Sequence, residues 1–141
     1  MSRRRVLIVC TGNSARSQMA EGLLRHLAGD RFDVFSAGTK PAGLNPRAID
    51  VMSEIGIDIA SHRSKSVDEF AGRQFDYVIT VCDCAKESCP VFPGAGKRIH
   101  KSFEDPASAV PAHQREVFSV VRDQILLWLK EFVASESLAN G

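Results

Sequence analysis

A short apolar run followed by a cysteine, a polar loop and an arginine constrains the fold of this chain more than any other feature. Residues 6–9 read Val-Leu-Ile-Val, and Cys10 and Arg16 then frame the segment Cys-Thr-Gly-Asn-Ser-Ala-Arg-Ser. Residues 18–28 carry apolar side chains at four-residue spacing, which predicts a helix that ends at Gly29. The pattern therefore predicts a strand, a loop and a helix, with Cys10 at the carboxyl end of the strand.

The loop from Cys10 to Arg16 has the chemistry of an anion-binding site. Its backbone N–H groups can converge on one tetrahedral oxyanion, the helix N-terminus adds partial positive charge, and Arg16 can donate two parallel hydrogen bonds. The same positive field stabilises a thiolate, so Cys10 is the candidate nucleophile. Gly12 permits a close backbone approach to a ligand, and Asn13 tolerates a left-handed conformation. The candidate oxyanion-binding residues are Thr11, Gly12, Asn13, Ser14, Ala15, Arg16 and Ser17.

An inert buried cysteine beside a surface arginine is the alternative interpretation of this segment. The strand position, the Gly-Asn pair, the spacing from Cys10 to Arg16 and the Ser-rich helix start together favour the anion site.

Beyond this unit, strand-like and helix-like segments alternate. Strands are predicted at residues 32–36 and 77–81 and, from weaker periodicity, around Ile99. Helices are predicted between the N-cap Asn45 and Gly56, at residues 66–70 and at residues 114–133. This order predicts an α/β fold, a three-layer sandwich in which helices cover both faces of a parallel sheet. Such sheets bind ligands at the carboxyl ends of their strands, which is where the loop lies.

Periodicity also predicts which side chains face the core. In the second helix these are Ile49, Met52 and Ile55, and in the short helix Ser66 and Glu69 form a capping box. The core face of the last helix is predicted to consist of Val117, Val121, Ile125 and Leu129, widened by Val120, Leu127, Trp128 and Phe132.

Length and charge limit the classes of function. The chain has 141 residues, which predicts one domain over residues 1–141, with residues 135–141 frayed. Its 18 basic and 17 acidic residues give a net charge of +1, so we expect no general attraction to nucleic acid or to a membrane surface. The apolar run at residues 6–9 is too short for a signal peptide or a membrane span. We therefore expect a cytoplasmic location. We also expect a monomer.

Three of the four cysteines lie close together, at Cys82, Cys84 and Cys89. Because Cys82 follows the strand predicted at residues 77–81, it should reach the same edge of the sheet as Cys10. Such a cluster favours redox chemistry. Two alternatives remain: a zinc site that includes His100, which lacks the usual paired spacing of structural zinc ligands, and three unrelated cysteines.

The segment Glu104-Asp105-Pro106 supplies a candidate general acid. A thiolate that attacks a tetrahedral oxyanion must expel an oxygen, and Asp105 could protonate it. The alternative is a turn residue, because aspartate before proline is common in turns.

Taken together, these motifs resemble those of the thioredoxin-coupled arsenate reductases, which share the low-molecular-weight tyrosine phosphatase fold. The resemblance implies a four-stranded parallel sheet and an enzyme that reduces arsenate. Its motifs are Cys10-Thr11-Gly12-Asn13-Ser14, Arg16-Ser17-Gln18-Met19-Ala20-Glu21-Gly22, Ser36-Ala37-Gly38, Gly56-Ile57-Asp58-Ile59, Cys82, Cys89-Pro90 and Asp105-Pro106.

The resemblance also implies a catalytic cycle. Cys10 attacks arsenate while Asp105 protonates the departing oxygen, and Cys82 then attacks Cys10 so that arsenite leaves and a disulfide remains. Cys89 next attacks Cys82, and thioredoxin reduces the resulting Cys82–Cys89 disulfide. No cofactor and no metal are implied by this cycle.

The chain departs from the family pattern at three positions. Ala15 stands where many relatives have a further cysteine, one that is not a relay thiol. Cys84 matches a branch that uses glutathione and glutaredoxin, which makes these the alternative reductants. Lys65 stands where an aspartate completes a potassium site in some relatives, so we expect its ammonium to replace the ion. The other members of that site are matched by Asn13, Glu21 and Ser36.

Two other functions remain open from the sequence. A tyrosine phosphatase would use only Cys10, Arg16 and Asp105, but Ala107-Ser108 stand where such phosphatases have tyrosines. A module that binds oxyanions or senses oxidation without turnover is the non-enzymatic alternative.

Overall fold

The computed structural model of the chain describes residues 3–83 and 96–140, the last four by their backbone alone. The predicted strand and helix around the cysteine loop are both present, and both begin earlier than the periodicity indicates. The elements in chain order are β1 (Arg4–Cys10), α1 (Arg16–Ala28), β2 (Phe32–Gly38), α2 (Pro46–Ser53), β3 (Tyr77–Thr80), β4 (Lys97–His100) and α3 (Gln114–Asn140). Short 3-10 turns lie at Val67–Phe70, Pro106–Ser108 and Pro111–His113.

The four strands form one parallel sheet in the order β2-β1-β3-β4. Strand β1 lies inside the sheet, and its residues Val6–Val9 are fully buried, as expected for a strand covered on both faces. In the register of the sheet Val9 pairs with Ala37 of β2 and with Thr80 of β3. The carboxyl ends of these strands therefore meet at one edge, and the predicted α/β fold class is confirmed.

Aromatic side chains cover both faces of the sheet. Phe32 of β2 and Tyr77 of β3 contact the ring of Phe132 in α3 on one face. Phe35, three residues after Phe32, points to the other face. It packs there against Phe70 and Phe75, which also contact each other. The core is therefore divided into two layers, one on each side of β1.

Helix α2 begins where the sequence predicts, after the N-cap Asn45. Asn45 Oδ1 accepts a hydrogen bond from the backbone N–H of Arg47 at 2.8 Å, Pro46 is the first helical residue, and Gly56 follows the helix with a φ of +80°. Met52 is fully buried, but Ile55 is 38% exposed, so its predicted place in the core is wrong. Ile55 lies beyond the last turn of α2, where helical periodicity no longer applies.

The segment predicted as a short helix with a capping box is a 3-10 turn. Ser66 Oγ accepts from the N–H of Asp68 rather than of Glu69, because the 3-10 geometry brings that nearer amide to the cap. Glu69 instead pairs with Arg63 at 2.7 Å.

Helix α3 is longer than the sequence indicates. Residues 135–140, predicted as frayed, are helical, because Glu136 is buried and accepts hydrogen bonds from the Tyr77 hydroxyl and the Lys97 ammonium. Of the predicted core face Val121, Ile125 and Leu129 are buried, whereas Val120 and Leu127 are 49% and 62% exposed. The buried stripe is therefore rotated from the predicted one, because it includes Phe118 and Arg122 in place of Val120 and Leu127.

Within the parts of the chain that the structure describes, none of the helices combines the length and apolar character needed to cross a membrane.

Candidate active site

Cys10 lies at the end of β1, where the following loop turns back over its sulfur. The backbone N–H of Asn13 donates to Cys10 Sγ at 3.1 Å, and Ser17 Oγ lies 2.8 Å from the same sulfur. Only 2% of Cys10 is exposed. The Ser17 hydroxyl and the amide of Asn13 can therefore donate two hydrogen bonds to a thiolate. Ser17 lies in the first turn of α1, where the helix dipole adds partial positive charge.

Asn13 holds the loop in shape. Its φ is +47°, which confirms the predicted left-handed conformation. The side chain is fully buried: Nδ2 donates to Ser17 Oγ at 2.7 Å and to Ser36 Oγ at 2.9 Å. Its Oδ1 accepts from Gln18 Nε2 and from the backbone N–H of Lys65, both at 3.0 Å. The amide of Asn13 thus joins the loop to α1, to β2 and to the segment after α2.

A second glycine, which the motif alone does not reveal, allows the loop to pack on β2. A Cβ atom built on Gly38 would lie 2.5 Å from the carbonyl oxygen of Thr11 and 2.9 Å from the nitrogen of Asn13. The same construction on Gly12 finds no atom closer than 3.4 Å. The tight contact between the loop and β2 therefore depends on Gly38. The predicted close approach of a ligand to Gly12 stays a prediction.

Arg16 and Asp105 come together across the mouth of the loop. Arg16 donates to the carbonyl oxygen of Phe103 at 3.1 Å, and its second terminal nitrogen lies 3.9 Å from Asp105 Oδ2. The other carboxylate oxygen of Asp105 accepts from the N–H of Ala107 at 3.0 Å, so this residue also caps a turn. The general-acid and turn interpretations of Asp105 are compatible, because Oδ1 caps the turn while Oδ2 faces Arg16.

Cys82 lies beside the loop that contains Cys10. It follows β3, is 4% exposed, and its sulfur lies 3.3 Å from Thr11 Oγ1. The neighbouring strand ends therefore bring the second predicted thiol to the first loop. The predicted roles of Cys84 and Cys89 lie outside the described residues.

His100, the histidine of the zinc alternative, lies within the described residues, whereas Cys84 and Cys89 of that alternative lie outside them. Both of its ring nitrogens are in hydrogen-bond contact, with Thr80 Oγ1 at 2.8 Å and Asp83 Oδ1 at 2.9 Å. Residues 3–83 and 96–136 contain no group of three or more histidine, cysteine or acidic side chains arranged to hold a metal ion.

A buried carboxylate, Glu21, lies behind the loop. It accepts a hydrogen bond from Ser36 Oγ at 2.6 Å and pairs with Arg25 at 3.1 Å. His62 and Lys65 approach it at 3.6 and 3.8 Å. Burial lowers the pKa of both His62 and Lys65, and the attraction of Glu21 partly opposes this. Since the guanidinium of Arg25 and the ammonium of Lys65 already face Glu21, the residues present do not fit an additional potassium ion.

A buried cysteine contacted by a loop amide, with an arginine six residues later at a helix start, is the arrangement predicted for proteins that bind a tetrahedral oxyanion and attack it with sulfur. Residues 5–135 match the family described as low molecular weight phosphotyrosine protein phosphatase. The chain belongs to this family.

The similar proteins include both arsenate reductases and tyrosine phosphatases. Arsenate reductase 2 of Staphylococcus saprophyticus is 43% identical over 132 residues, which cover 94% of this chain and 98% of that protein. The solved structure of an arsenate reductase in a phosphate-binding state is 32% identical with a TM-score of 0.78, covering 94% of this chain and 98% of its own. A low molecular weight tyrosine phosphatase from T. tengcongensis is 26% identical with a TM-score of 0.77, covering 94% and 99%.

The structure of a thioredoxin-dependent arsenate reductase from Corynebacterium glutamicum is also similar. It is 30% identical with a TM-score of 0.69, and the match covers 94% of this chain and 63% of the longer protein. The fold is thus shared with both enzyme types, whereas sequence identity is higher with the reductases.

Proposed function

We propose that this protein reduces arsenate to arsenite with the thiols Cys10, Cys82 and Cys89 and is recycled by thioredoxin. The contact between Cys82 Sγ and Thr11 Oγ1, at 3.3 Å, is the observation on which this proposal mainly rests. A hydrolase needs one cysteine in the anion loop, whereas a reductase needs a second thiol near the first. The proposal includes a role in arsenic detoxification, in the cytoplasm, as a monomer.

The first step is attack on arsenic. Arsenate binds to the loop amides and Arg16, and the Cys10 thiolate forms a sulfur–arsenic bond while one arsenic–oxygen bond breaks. Asp105, 3.9 Å from Arg16, protonates the departing oxygen so that it leaves as water. Arsenic remains pentavalent in this adduct.

The second step is the reduction. The thiolate of Cys82 attacks Cys10 Sγ, a sulfur–sulfur bond forms, and the sulfur–arsenic bond breaks. Its electron pair stays on arsenic, which leaves as trivalent arsenite. Two thiols have then supplied two electrons and become the Cys10–Cys82 disulfide.

The last step restores Cys10. Cys89 attacks Cys82, which frees Cys10, and thioredoxin reduces the Cys82–Cys89 disulfide through a mixed disulfide. The Cys89-Pro90 pair and the similarity to the thioredoxin-dependent enzyme of Corynebacterium glutamicum support this assignment.

A tyrosine phosphatase is the second candidate, because phosphate resembles arsenate and the family includes such phosphatases. It would use Cys10, Arg16 and Asp105 and leave Cys82 without a purpose.

The deciding experiment is arsenate-dependent oxidation of NADPH with thioredoxin and its reductase, run beside the glutathione and glutaredoxin system. We expect turnover with thioredoxin and none in a Cys82→Ser variant. Hydrolysis of an aryl phosphate without arsenate-dependent turnover in either system would instead establish the phosphatase.

Cys89 and Cys84 can be separated by a matched pair of serine variants. Cys89→Ser should release about one arsenite per chain, because two thiols support one two-electron reduction, and then stop with Cys10 joined to Cys82. Cys84→Ser should keep turning over. The reverse pattern would make Cys84 the resolving thiol and favour glutaredoxin as the reductant.

A further inference from the structure

Three hydrogen-bonded side chains, two of which flank Cys82 in the sequence, lie at the carboxyl ends of β3 and β4. Thr80, the last residue of β3, is 2% exposed, and its hydroxyl contacts His100 Nδ1 at 2.8 Å. His100 is the last residue of β4, and its Nε2 contacts Asp83 Oδ1 at 2.9 Å. The imidazole therefore joins the residue two before Cys82 to the residue one after it.

The chemistry of these side chains determines which atom donates in each hydrogen bond. A carboxylate can only accept, so His100 Nε2 carries the proton and donates to Asp83. In the neutral ring Nδ1 then accepts from the Thr80 hydroxyl, and in the charged ring Nδ1 donates to the hydroxyl oxygen instead. The two hydrogen bonds persist in both forms of the ring.

Thr80 and Asp83, the two residues that His100 connects, differ in their other contacts. Thr80 is fixed by the parallel pairing of β3 with β1 and β4. The side chain of Asp83 is 78% exposed, while that of His100 is 24% exposed. The bond to His100 thus connects the exposed side chain of the residue after Cys82 to a strand of the sheet.

We propose that His100 is a positioning residue for the second step of the reaction, and that it acts through Asp83. By fixing the backbone around Cys82 it keeps the sulfur 3.3 Å from Thr11 Oγ1, beside the loop that holds Cys10. This inference rests on the proposed function. The step concerned is attack of the Cys82 thiolate on Cys10 Sγ, in which the sulfur–sulfur bond forms and the electron pair of the sulfur–arsenic bond stays on arsenic.

A pair of amide variants tests the contact itself. The amide of His100→Gln reaches the position of Nε2 and can donate to Asp83, whereas the shorter amide of His100→Asn reaches only the position of Nδ1. In single-turnover rapid-quench experiments, His100→Asn and Asp83→Ala should release arsenite about tenfold more slowly, since small displacements of reacting groups cost at least this much. His100→Gln and Asp83→Asn, which keep the hydrogen bond, should stay near the wild-type rate.

Two measurements separate a positioning role from general damage. The affinity for inorganic phosphate, measured by calorimetry, should be unchanged in all four variants, because the anion loop is intact. Alkylation of Cys82 by iodoacetamide, followed by peptide mapping, should be several-fold faster in His100→Asn and Asp83→Ala, with that of Cys10 unchanged. Equal rates of arsenite release in His100→Asn and wild type, or weakened phosphate binding in step with the slower release, would overturn the proposal.

The alkylation experiment needs no arsenate. If wild-type protein reduces no arsenate, the proposed function fails, while unchanged alkylation of Cys82 in His100→Asn and Asp83→Ala would show that no tether exists. Because Asp83 is exposed, Asp83→Ala remains informative if His100→Asn does not fold.

Discussion

Cys10 and Cys82 follow two neighbouring strands of the same sheet, yet their surroundings differ. Cys10 belongs to a loop whose backbone packs tightly on Gly38 and whose Asn13 side chain is buried and hydrogen-bonded to Ser17. Cys82 touches that loop through one hydroxyl, that of Thr11, and is followed directly by the exposed residue Asp83. Cys10 is therefore part of the hydrogen-bonded loop, whereas Cys82 only contacts that loop from outside.

This difference matches the two kinds of chemistry in the proposed cycle. Transition-state stabilisation of a tetrahedral oxyanion requires donors that are fixed before the reaction begins. A relay thiol must instead approach one sulfur and afterwards be attacked by another. We therefore expect substitutions around Cys10 to affect every activity of the protein, and substitutions around Cys82 to affect reduction alone.

The sharpest test of this comparison is a pair of serine variants. Cys10→Ser should abolish both arsenate reduction and any hydrolysis of aryl phosphates, because a serine hydroxyl is a poor nucleophile at neutral pH. Cys82→Ser should lose reduction but retain the formation of the arsenate adduct on Cys10, detected by rapid-quench mass spectrometry. If Cys82→Ser also failed to form the adduct, the two thiols would not have separate roles.

The second prediction concerns Asp105, which belongs to the first step. Asp105→Asn should slow adduct formation by about a hundredfold, the usual contribution of a general acid. The asparagine oxygen can still accept from the N–H of Ala107, so the turn is preserved. Glu104→Gln, one residue away, is the matched control and should react at the wild-type rate. Equal rates in the two variants would leave Asp105 with its turn role alone.

The local parts of this architecture were predictable from the sequence, because they depend on short-range signals. The strand before Cys10, the left-handed Asn13 and the start of α2 at Asn45 each follow from neighbouring residues. Topology then brought Cys82 to the Cys10 loop, because parallel strands end at the same edge.

Other features depend on contacts between distant residues, which periodicity cannot reveal. In the last two turns of α3, Glu136 accepts a hydrogen bond from the hydroxyl of Tyr77, 59 residues away in the sequence. The role of Gly38 depends on how closely the loop packs on β2. Val120 and Leu127 have helical spacing but are exposed, because none of the elements that the structure describes covers them.

The third prediction concerns the support behind the Cys10 loop. The ammonium of Lys65 lies 3.8 Å from Glu21, so we expect the unfolding temperature of the wild type to be the same in potassium and sodium chloride. Lys65→Asp should become more stable in potassium by roughly 1 kcal/mol, or about 3 °C, because a bound ion stabilises only the folded state. The backbone N–H of residue 65 still donates to Asn13 in this variant.

Lys65→Met, which removes the ammonium without adding a ligand, is the control and should respond equally to both salts. A wild-type protein already stabilised by potassium would mean that Lys65 does not replace the ion.

The smallest expected effect concerns His62 and the pH dependence of the same support. Burial lowers the pKa of His62, whose Nδ1 lies 3.1 Å from Gln18 Oε1. The unfolded chain therefore binds a proton that the folded chain resists, so the free energy of unfolding should fall as the pH drops below about 6.5. In urea unfolding at pH 7, 6 and 5, His62→Gln should lose less stability than the wild type, whereas His113→Gln, at an exposed position, should follow the wild-type curve. Parallel curves for His62→Gln and the wild type would mean that folding does not disfavour the charged form of His62.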